Sequence, residues 1–272
     1  MADPDYTDSI MLFGDSLTQA FTNGSYSQLM AQTYIRKMDI LNRGFSGYTT
    51  EGGLAVFEKI FATKERRDKG IVVPVKLVTI WFGANDASLP GNTQHIPLEL
   101  FKANLSQMVT SLQSPTSDYY APDTKIVLIT PPPIMEAARL RGMNIRWKEF
   151  GSEGEPPTVC DRNKGVTRQY AQAVVEVAKK ENVPFVDLWT AIVDAAGGEG
   201  EDELAPYFYD GLHLTPEGYD VLYKELMKLI LSRWPEFDPE EIIPRMPFWK
   251  ELQPDPRAEI EKSNRLRAAG KM

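Results

Sequence analysis

The residue types needed for nucleophilic attack on a carbonyl stand in two short segments far apart in the chain. Ser16 ends the triplet Gly14-Asp15-Ser16, and Asp210 precedes His213 by three residues. A serine hydroxyl attacks poorly unless an imidazole accepts its proton, and the imidazole works best when a carboxylate holds its other nitrogen. In an irregular loop, this offset lets Asp210 fold back on Nδ1 of His213 and leaves Nε2 for Ser16. We therefore predict a triad of Ser16, His213 and Asp210.

Attack on a carbonyl also builds negative charge on oxygen, so the site needs hydrogen-bond donors, each contributing about 2.7 to 4 kcal/mol. Gly47, in segment 42–50, offers a backbone N–H that no side chain obstructs, and Asn85, in segment 81–86, offers a carboxamide N–H. Taken alone, Gly47 fits a left-handed turn and Asn85 an Asx turn that closes a strand. Their joint occurrence after separate strands favours the interpretation as donors.

Nearly continuous apolar runs predict the strands that must position these residues. They cover 9–13, 75–82, 125–130 and 183–188, with a weaker fifth run at 38–41. Helical periodicity covers 26–36, 98–112 and 166–180, and a last helix follows the capping pair Thr215-Pro216. This alternation predicts an α/β fold with a doubly wound parallel sheet, in which ligands bind at the carboxyl ends of the strands.

The length of 272 residues suits one α/β domain over 1–232 followed by a Pro-rich and charged tail over 233–272. A charged, Gly- and Pro-bearing insertion at about 135–165 predicts a surface excursion or lid. We expect it to reshape the substrate pocket but not the catalytic set, so that deletion of 139–162 alters selectivity more than acylation. The tail is expected to wrap the surface and to finish in a frayed or helical end.

Composition excludes several classes of function. The net charge of −8 repels phosphate backbones and anionic lipids, so neither nucleic acid nor membrane is expected as a partner. A single cysteine, Cys160, excludes an internal disulfide or a zinc site built on thiolates, and it is interpreted as a spectator thiol. His95 is interpreted as a loop histidine, so no metal site is expected. The acidic opening lacks a leader-like apolar run, which favours a cytoplasmic or otherwise intracellular protein.

Four blocks together resemble the SGNH, or GDSL-type, hydrolases. In chain order they are Gly14-Asp15-Ser16, Gly44-Phe45-Ser46-Gly47, Gly83-Ala84-Asn85-Asp86 and Asp210-Gly211-Leu212-His213. The resemblance spans roughly residues 9 to 232. A finer match in Asn42-Arg43-Gly44, Gly47-Tyr48-Thr49-Thr50, the three prolines at 131–133 and Leu214 resembles the isoamyl acetate-hydrolysing esterase branch.

The resemblance implies roles for individual residues. Ser16 is implied to be the nucleophile and, through its own N–H, one of three oxyanion donors with Gly47 and Asn85. His213 is implied to be general base and then general acid, with Asp210 orienting it. The implied fold is a three-layer α/β/α sandwich, flavodoxin-like, with a five-stranded parallel sheet and no metal or organic cofactor.

We therefore expect a serine esterase whose partner is a small neutral ester of the acetate type, with a homodimer as one option for its assembly. Apolar residues flank the blocks and offer either pocket walls or core: Phe45, Tyr48, Trp81, Phe82 and Leu212. The same machinery also suits an acetylated carbohydrate, a lysophospholipid or an acyl thioester. A non-catalytic α/β binding module is the alternative from another class, but it predicts a missing catalytic position. A nucleotide-binding fold is disfavoured because Gly14-Asp15-Ser16 lacks phosphate-loop spacing.

Overall fold

Five parallel strands form one sheet in the order β2-β1-β3-β4-β5. In this computed structural model, which describes residues 8–151, 153–244 and 246–268, the strands are β1 (Ser9–Gly14), β2 (Asp39–Gly44), β3 (Val75–Trp81), β4 (Lys125–Ile129) and β5 (Phe185–Val186). The predicted α/β fold with a five-stranded parallel sheet is confirmed. Residues 1–7, which form most of the acidic opening, lie outside the described residues, as do 269–272.

Helices follow the strands along the chain. They are α1 (Ser16–Gln19), α2 (Tyr26–Thr33), α3 (Thr50–Ile60), α4 (Lys64–Asp68), α5 (Leu98–Gln113), α6 (Glu136–Glu149), α7 (Lys164–Lys180), α8 (Leu188–Ala196), α9 (Glu201–Leu204), α10 (Pro216–Arg233) and α11 (Pro256–Ala268). In the described part of the chain, none of them is long and apolar enough to cross a membrane.

Alternate residues of β1, which lies between β2 and β3, divide the core between the two faces of the sheet. Ile10 and Leu12 pack into one buried cluster with side chains of α2, α8 and α10. Met11 and Phe13 pack into a second cluster with side chains of α3, α5 and α7. Because successive strand residues point to opposite faces, this alternation requires helices on both sides and produces three layers.

The last strand is shorter than the sequence predicts. Of the apolar run 183–188, only Phe185–Val186 pairs with β4, because Leu188 already begins α8. Asp187 caps that helix by accepting a hydrogen bond from Thr190 N at 3.1 Å. Short apolar runs suit a strand or the start of a buried helix equally well, so the capping aspartate decides the boundary.

The tail is fixed to the domain near its beginning. Phe237 is buried in the first core cluster, and its carbonyl accepts a hydrogen bond from Tyr34 Oη at 2.9 Å. Further along, Lys37 Nζ donates to Pro239 O, and the Arg36 guanidinium lies 5.9 Å from the ring centre of Phe248. The tail therefore runs along the surface beside the end of α2, and its described part ends in α11.

Two carboxylates are buried beneath the edge of the sheet where the strands end. Asp15 accepts a hydrogen bond from Leu17 N at 2.9 Å, and Asp86 accepts from Thr50 N at 2.8 Å and Thr50 Oγ1 at 2.6 Å. In each, the other oxygen has no hydrogen-bond partner among the described residues. Burial raises the pKa of Asp15 to about 7 and that of Asp86 to about 6.

We predict that Asp15→Asn makes stability less dependent on pH. A carboxyl whose folded pKa is raised stabilises the fold fully below its unfolded pKa of 3.8 and loses that contribution as pH rises towards 7. Relative to the natural chain, the variant should therefore gain about 2 kcal/mol of unfolding free energy between pH 5 and pH 8. Urea unfolding at both pH values measures this difference.

The exposed Asp68, which pairs with Lys64 on α4, supplies the matched control, Asp68→Asn. The difference in unfolding free energy between this control and the natural chain should be the same at both pH values. If the difference in unfolding free energy between Asp15→Asn and the natural chain is also the same at both pH values, the prediction is contradicted.

Candidate active site

Ser16 occupies the first position of α1, two residues after the end of β1. The preceding Asp15 caps the helix through Leu17 N. The helix lies so close to the end of β2 that a Cβ on Gly44 would stand 2.1 Å from Gln19 N. Glycine at this position therefore lets the Ser16 helix pack directly on the neighbouring strand.

His213 lies two residues before the cap of α10, and its ring reaches Ser16. The distance from His213 Nε2 to Ser16 Oγ is 3.0 Å, and Thr215 caps the helix through Gly218 N at 3.3 Å. Tyr219, one turn into α10, donates its hydroxyl to Leu17 O at 2.8 Å. This bond ties α10 to α1 and so fixes the imidazole relative to the serine.

Asp210 accepts hydrogen bonds on both of its carboxylate oxygens. Oδ2 lies 2.9 Å from His213 Nδ1, while Oδ1 accepts from Leu212 N at 3.1 Å and His213 N at 2.8 Å. Arg146 Nη1 donates to the same Oδ2 at 3.0 Å. Burial alone would raise the pKa of Asp210, but the hydrogen bonds from the His213 ring and backbone and from Arg146 hold it well below its usual range. Asp210 is therefore an ionised partner for the imidazole.

Helix α6 packs directly against the Asp210 loop. Gly211 has φ +81°, and a Cβ there would lie 2.5 Å from Met135 O and from Arg139 N. Met135 N in turn donates to Gly211 O at 3.0 Å, and a Cβ on Gly142 would be 3.4 Å from Asp210 Cβ. Positive φ and close approach both require a glycine at 211.

The predicted oxyanion donors lie on two loops that are hydrogen-bonded to each other. Asn85 Nδ2 donates one hydrogen to Tyr48 O at 2.9 Å, which leaves its second amide hydrogen available. Gly47 has φ +80°, and its N–H has no hydrogen-bond partner within the described residues. The Gly47 loop is also joined to the serine segment, because Phe45 N donates a hydrogen bond to Gly14 O at 2.9 Å.

The insertion contacts the candidate site, a role that the expected surface excursion or lid over residues 135–165 does not include. Its helix α6 places Arg146 on Asp210 and Arg139 4.0 Å from the same carboxylate oxygen. Its far end places Arg162 2.9 Å from Asn85 Oδ1. Loss of 139–162 would therefore remove charged partners from both halves of the candidate site.

Three of the five apolar residues expected to flank a pocket belong to the core instead. Trp81 and Phe82 are 1% exposed and Leu212 is 4% exposed. Trp81 packs edge to face on Tyr26, and Phe82 packs edge to face on Phe13 with ring centres 5.0 Å apart. Trp81 ends the central strand β3 and Phe82 follows it, and helices cover both faces of the sheet there, which buries the two rings.

The other two apolar residues remain candidates for a substrate wall. Phe45 is half-buried and stacks on Tyr48 with ring centres 5.2 Å apart, and Tyr48 is 38% exposed. The sequence interpretation missed a third aromatic, Tyr209, whose ring stacks on His213 at 5.5 Å and 15° and is largely exposed. Its position next to Asp210 was the available signal.

Sequence reasoning also missed the arginines around the site. Arg139, Gly142 and Arg146 follow helical spacing, so a helix predicted over 136–149 would have placed them on one face. Arg162 carries no such signal, because it precedes α7 in an irregular segment. Its contacts depend on a fold-back that pairs Ser88 with Arg162 in an isolated bridge.

The other candidate groups have structural partners. His95 Nδ1 lies 2.6 Å from Ser88 O, in a loop as expected. Burial raises the pKa of the Cys160 thiol, which disfavours a thiolate nucleophile. Over the described ranges, no group of three or more His, Cys, Asp or Glu side chains is arranged to hold a metal ion.

Comparisons with known proteins agree with this fold. Residues 12–221 match the model of the GDSL-like Lipase/Acylhydrolase family. An isoamyl acetate-hydrolyzing esterase 1 homolog of Mus musculus is 36% identical over 253 residues, which cover 90% of this chain and 88% of that protein. A GDSL esterase/lipase of Arabidopsis thaliana is 37% identical over 243 residues, covering 88% and 89% of the two chains.

A solved structure has the same fold. The lipase/acylhydrolase from Enterococcus faecalis has a TM-score of 0.57 and 25% identity, with 84% of this chain and 97% of that chain covered. The family match, the esterase relatives and the fold identify this chain as a member of the GDSL-like lipase/acylhydrolase family and as a carboxylic ester hydrolase.

Proposed function

We propose that this esterase hydrolyses small neutral esters of the acetate type through an acyl-enzyme on Ser16, with His213 and Asp210 completing a catalytic triad. The observation that supports this most is the continuous chain of hydrogen bonds, 3.0 Å from Ser16 Oγ to His213 Nε2 and 2.9 Å from His213 Nδ1 to Asp210 Oδ2. Both lengths suit a neutral imidazole that donates to the carboxylate and accepts from the hydroxyl.

The proposed reaction uses His213 twice. Ser16 Oγ forms a bond to the ester carbonyl carbon while its proton moves to His213 Nε2, and the carbonyl π electrons pass to oxygen. The imidazolium then protonates the leaving alcohol, the ester C–O bond breaks, and the acyl group stays on Ser16. Water loses a proton to the same nitrogen, attacks the acyl carbon and releases the carboxylic acid with Ser16 restored.

Three N–H groups are proposed to stabilise the oxyanion: those of the Ser16 backbone, the Gly47 backbone and the Asn85 carboxamide. Support comes from the second Asn85 amide hydrogen and from the Gly47 N–H, which has no partner in the described chain. Backbone donors held in a fixed loop need no reorganisation when the charge develops, and this lowers the barrier.

Charge and surface chemistry support a small uncharged substrate. The net charge of −8 gives no general attraction for anionic esters. Beside the serine segment, Phe45 and the partly exposed Tyr48 offer an aromatic surface, and Tyr209 offers another beside His213. The mammalian relatives whose names refer to isoamyl acetate hydrolysis support the same class of short neutral ester.

We predict that a short aryl acetate is hydrolysed faster than an acetylated xylo-oligosaccharide or a long-chain lysophospholipid. Initial rates on the purified chain over this panel, with an acyl thioester added, measure the preference. Activity confined to the acetylated sugar or to the lipid would overturn the small-ester proposal while leaving the esterase assignment intact.

We predict that Ser16→Ala abolishes covalent labelling by a fluorophosphonate probe, because the labelled atom is the serine oxygen. Intact-mass spectrometry reads the adduct directly. Ser232, an exposed serine near the end of α10, gives the matched control Ser232→Ala, which should label as the natural chain does. Labelling of Ser16→Ala would remove the proposed nucleophile.

We predict that Asp210→Asn lowers kcat on the order of 10⁴-fold with little change in the fold. The asparagine oxygen keeps the bonds from Leu212 N and His213 N, so its NH₂ must face both Arg146 and His213 Nδ1. Three donors then meet, and the imidazole loses its orienting acceptor. Steady-state kinetics and circular dichroism measure the two effects.

The matched control for that experiment is Asp220→Asn, which alters a partly exposed aspartate paired with Lys224 on α10. It should retain kcat within about twofold, as surface substitutions usually do. If Asp210→Asn also keeps full turnover, Asp210 has no part in the mechanism.

We predict that Asn85→Ala lowers kcat by about 10²- to 10³-fold with a small change in KM, because it removes an oxyanion donor. Asn92→Ala, at an exposed position in the following loop, should leave both constants nearly unchanged. A change confined to KM would instead assign Asn85 to substrate binding.

A further inference from the structure

Arg162 is a charged side chain enclosed by the protein next to the proposed oxyanion donors. It is 1% exposed, and each of its three guanidinium nitrogens donates at least one hydrogen bond. Nε donates to Ala84 O at 2.7 Å, and Nη2 donates to Asn85 Oδ1 at 2.9 Å and to Gln94 Oε1 at 3.1 Å. Burying a charged group costs free energy unless it is paired and hydrogen-bonded, so a buried arginine at this position points to a specific role.

The hydrogen bond from Arg162 fixes the orientation of the Asn85 carboxamide. With Oδ1 turned to the guanidinium, Nδ2 must point the other way, where it also bonds Tyr48 O. A flipped amide would set NH₂ against NH₂ at the arginine and oxygen against oxygen at Tyr48. The positive charge at Oδ1 also polarises the amide, which strengthens Nδ2 as a donor.

The same guanidinium reaches the Gly47 loop through one intermediate. Gln94 accepts from Arg162 with Oε1 and donates from Nε2 to Gly47 O at 2.8 Å. One buried arginine thus holds a proposed side-chain donor directly and the loop of a proposed backbone donor at one remove. Among the described residues, no other side chain is hydrogen-bonded to both Asn85 and Gln94.

A charge network keeps Arg162 in place and connects it to the triad acid. Asp161 pairs with Arg162 and receives two hydrogen bonds from Arg139, 3.0 Å from Nε and 2.8 Å from Nη2. Burial would raise the pKa of Asp161, but Arg139 and Arg162 lower it to about 2. Arg139 in turn lies 4.0 Å from Asp210, so alternating charges run from the triad acid to Asn85.

We infer that Arg162 is a positioning residue for ester hydrolysis, which aims and polarises the Asn85 carboxamide and steadies the Gly47 loop as negative charge develops on the substrate oxygen. The inference rests on the proposed function of Asn85 and Gly47. It assigns to the insertion a catalytic purpose separate from substrate selection.

A double-mutant cycle tests this role, because a residue that acts through Asn85 loses its effect when Asn85 is absent. Arg162→Lys keeps the charge but cannot reach Ala84 O, Asn85 and Gln94 together. It should lower kcat by about 10- to 100-fold with KM changed less than about threefold. In the Asn85→Ala background, the same substitution should cost at most about threefold.

Arg168→Lys on α7 is the matched control, since Arg168 is an exposed arginine that pairs with Glu199. It should leave kcat unchanged in both backgrounds. Gln94→Ala probes the same path without disturbing a buried charge, and a kcat loss of about three- to tenfold is expected from it. Gln94→Ala therefore decides the question if Arg162→Lys does not fold by circular dichroism, and an unchanged kcat there would overturn the inference.

The outcomes separate this inference from the proposed function. If Asn85→Ala is strongly impaired but Arg162→Lys is as active as the natural chain, the positioning role fails alone. An equal loss from Arg162→Lys with and without Asn85 also overturns it, because the arginine then acts elsewhere. If Ser16→Ala retains hydrolysis or Asn85→Ala is fully active, the proposed function itself fails.

Discussion

One carboxylate sets the geometry of the candidate site. Asp210 lies in a mostly buried loop, and four donors surround it: the ring of His213, the guanidinium of Arg146 and two backbone N–H groups. These contacts outweigh the desolvation that opposes ionisation, so the charge persists within the protein. Because the loop turns at Gly211 against α6, a change in this helix would displace the imidazole that faces Ser16.

The sequence predicted the parts of the site that follow from strand ends. Ser16, Asn85 and Gly47 each come just after a strand of a parallel sheet, and the carboxyl ends of such strands share one edge. Asp210 and His213 needed only a short loop between them. Local spacing and one rule of topology were therefore sufficient to bring these residues together as an expectation.

The rest depended on packing that no local pattern records. Helix α6 has a mostly polar sequence and no apolar stripe. It packs against the Asp210 loop through the close approach of Gly142 and through ion pairs such as that of Arg146 with Asp210. Arg162 is hydrogen-bonded to Asn85, which lies 77 residues away in the sequence. Neither the burial of Arg162 nor its partners therefore follow from local sequence spacing. Trp81 and Phe82 became core for a similar reason, since which helices cover a strand end is a tertiary property.

The two edges of the sheet bear on how copies of this chain can associate. One edge is β5, which offers only two residues, and the other is β2, whose Asp39, Asn42 and Arg43 break up any apolar surface. Short or polar edges discourage another chain from continuing the sheet through backbone hydrogen bonds. Copies of this esterase that associate are therefore expected to do so through their outer helices. The two edge strands also protect the sheet from fibril-like stacking.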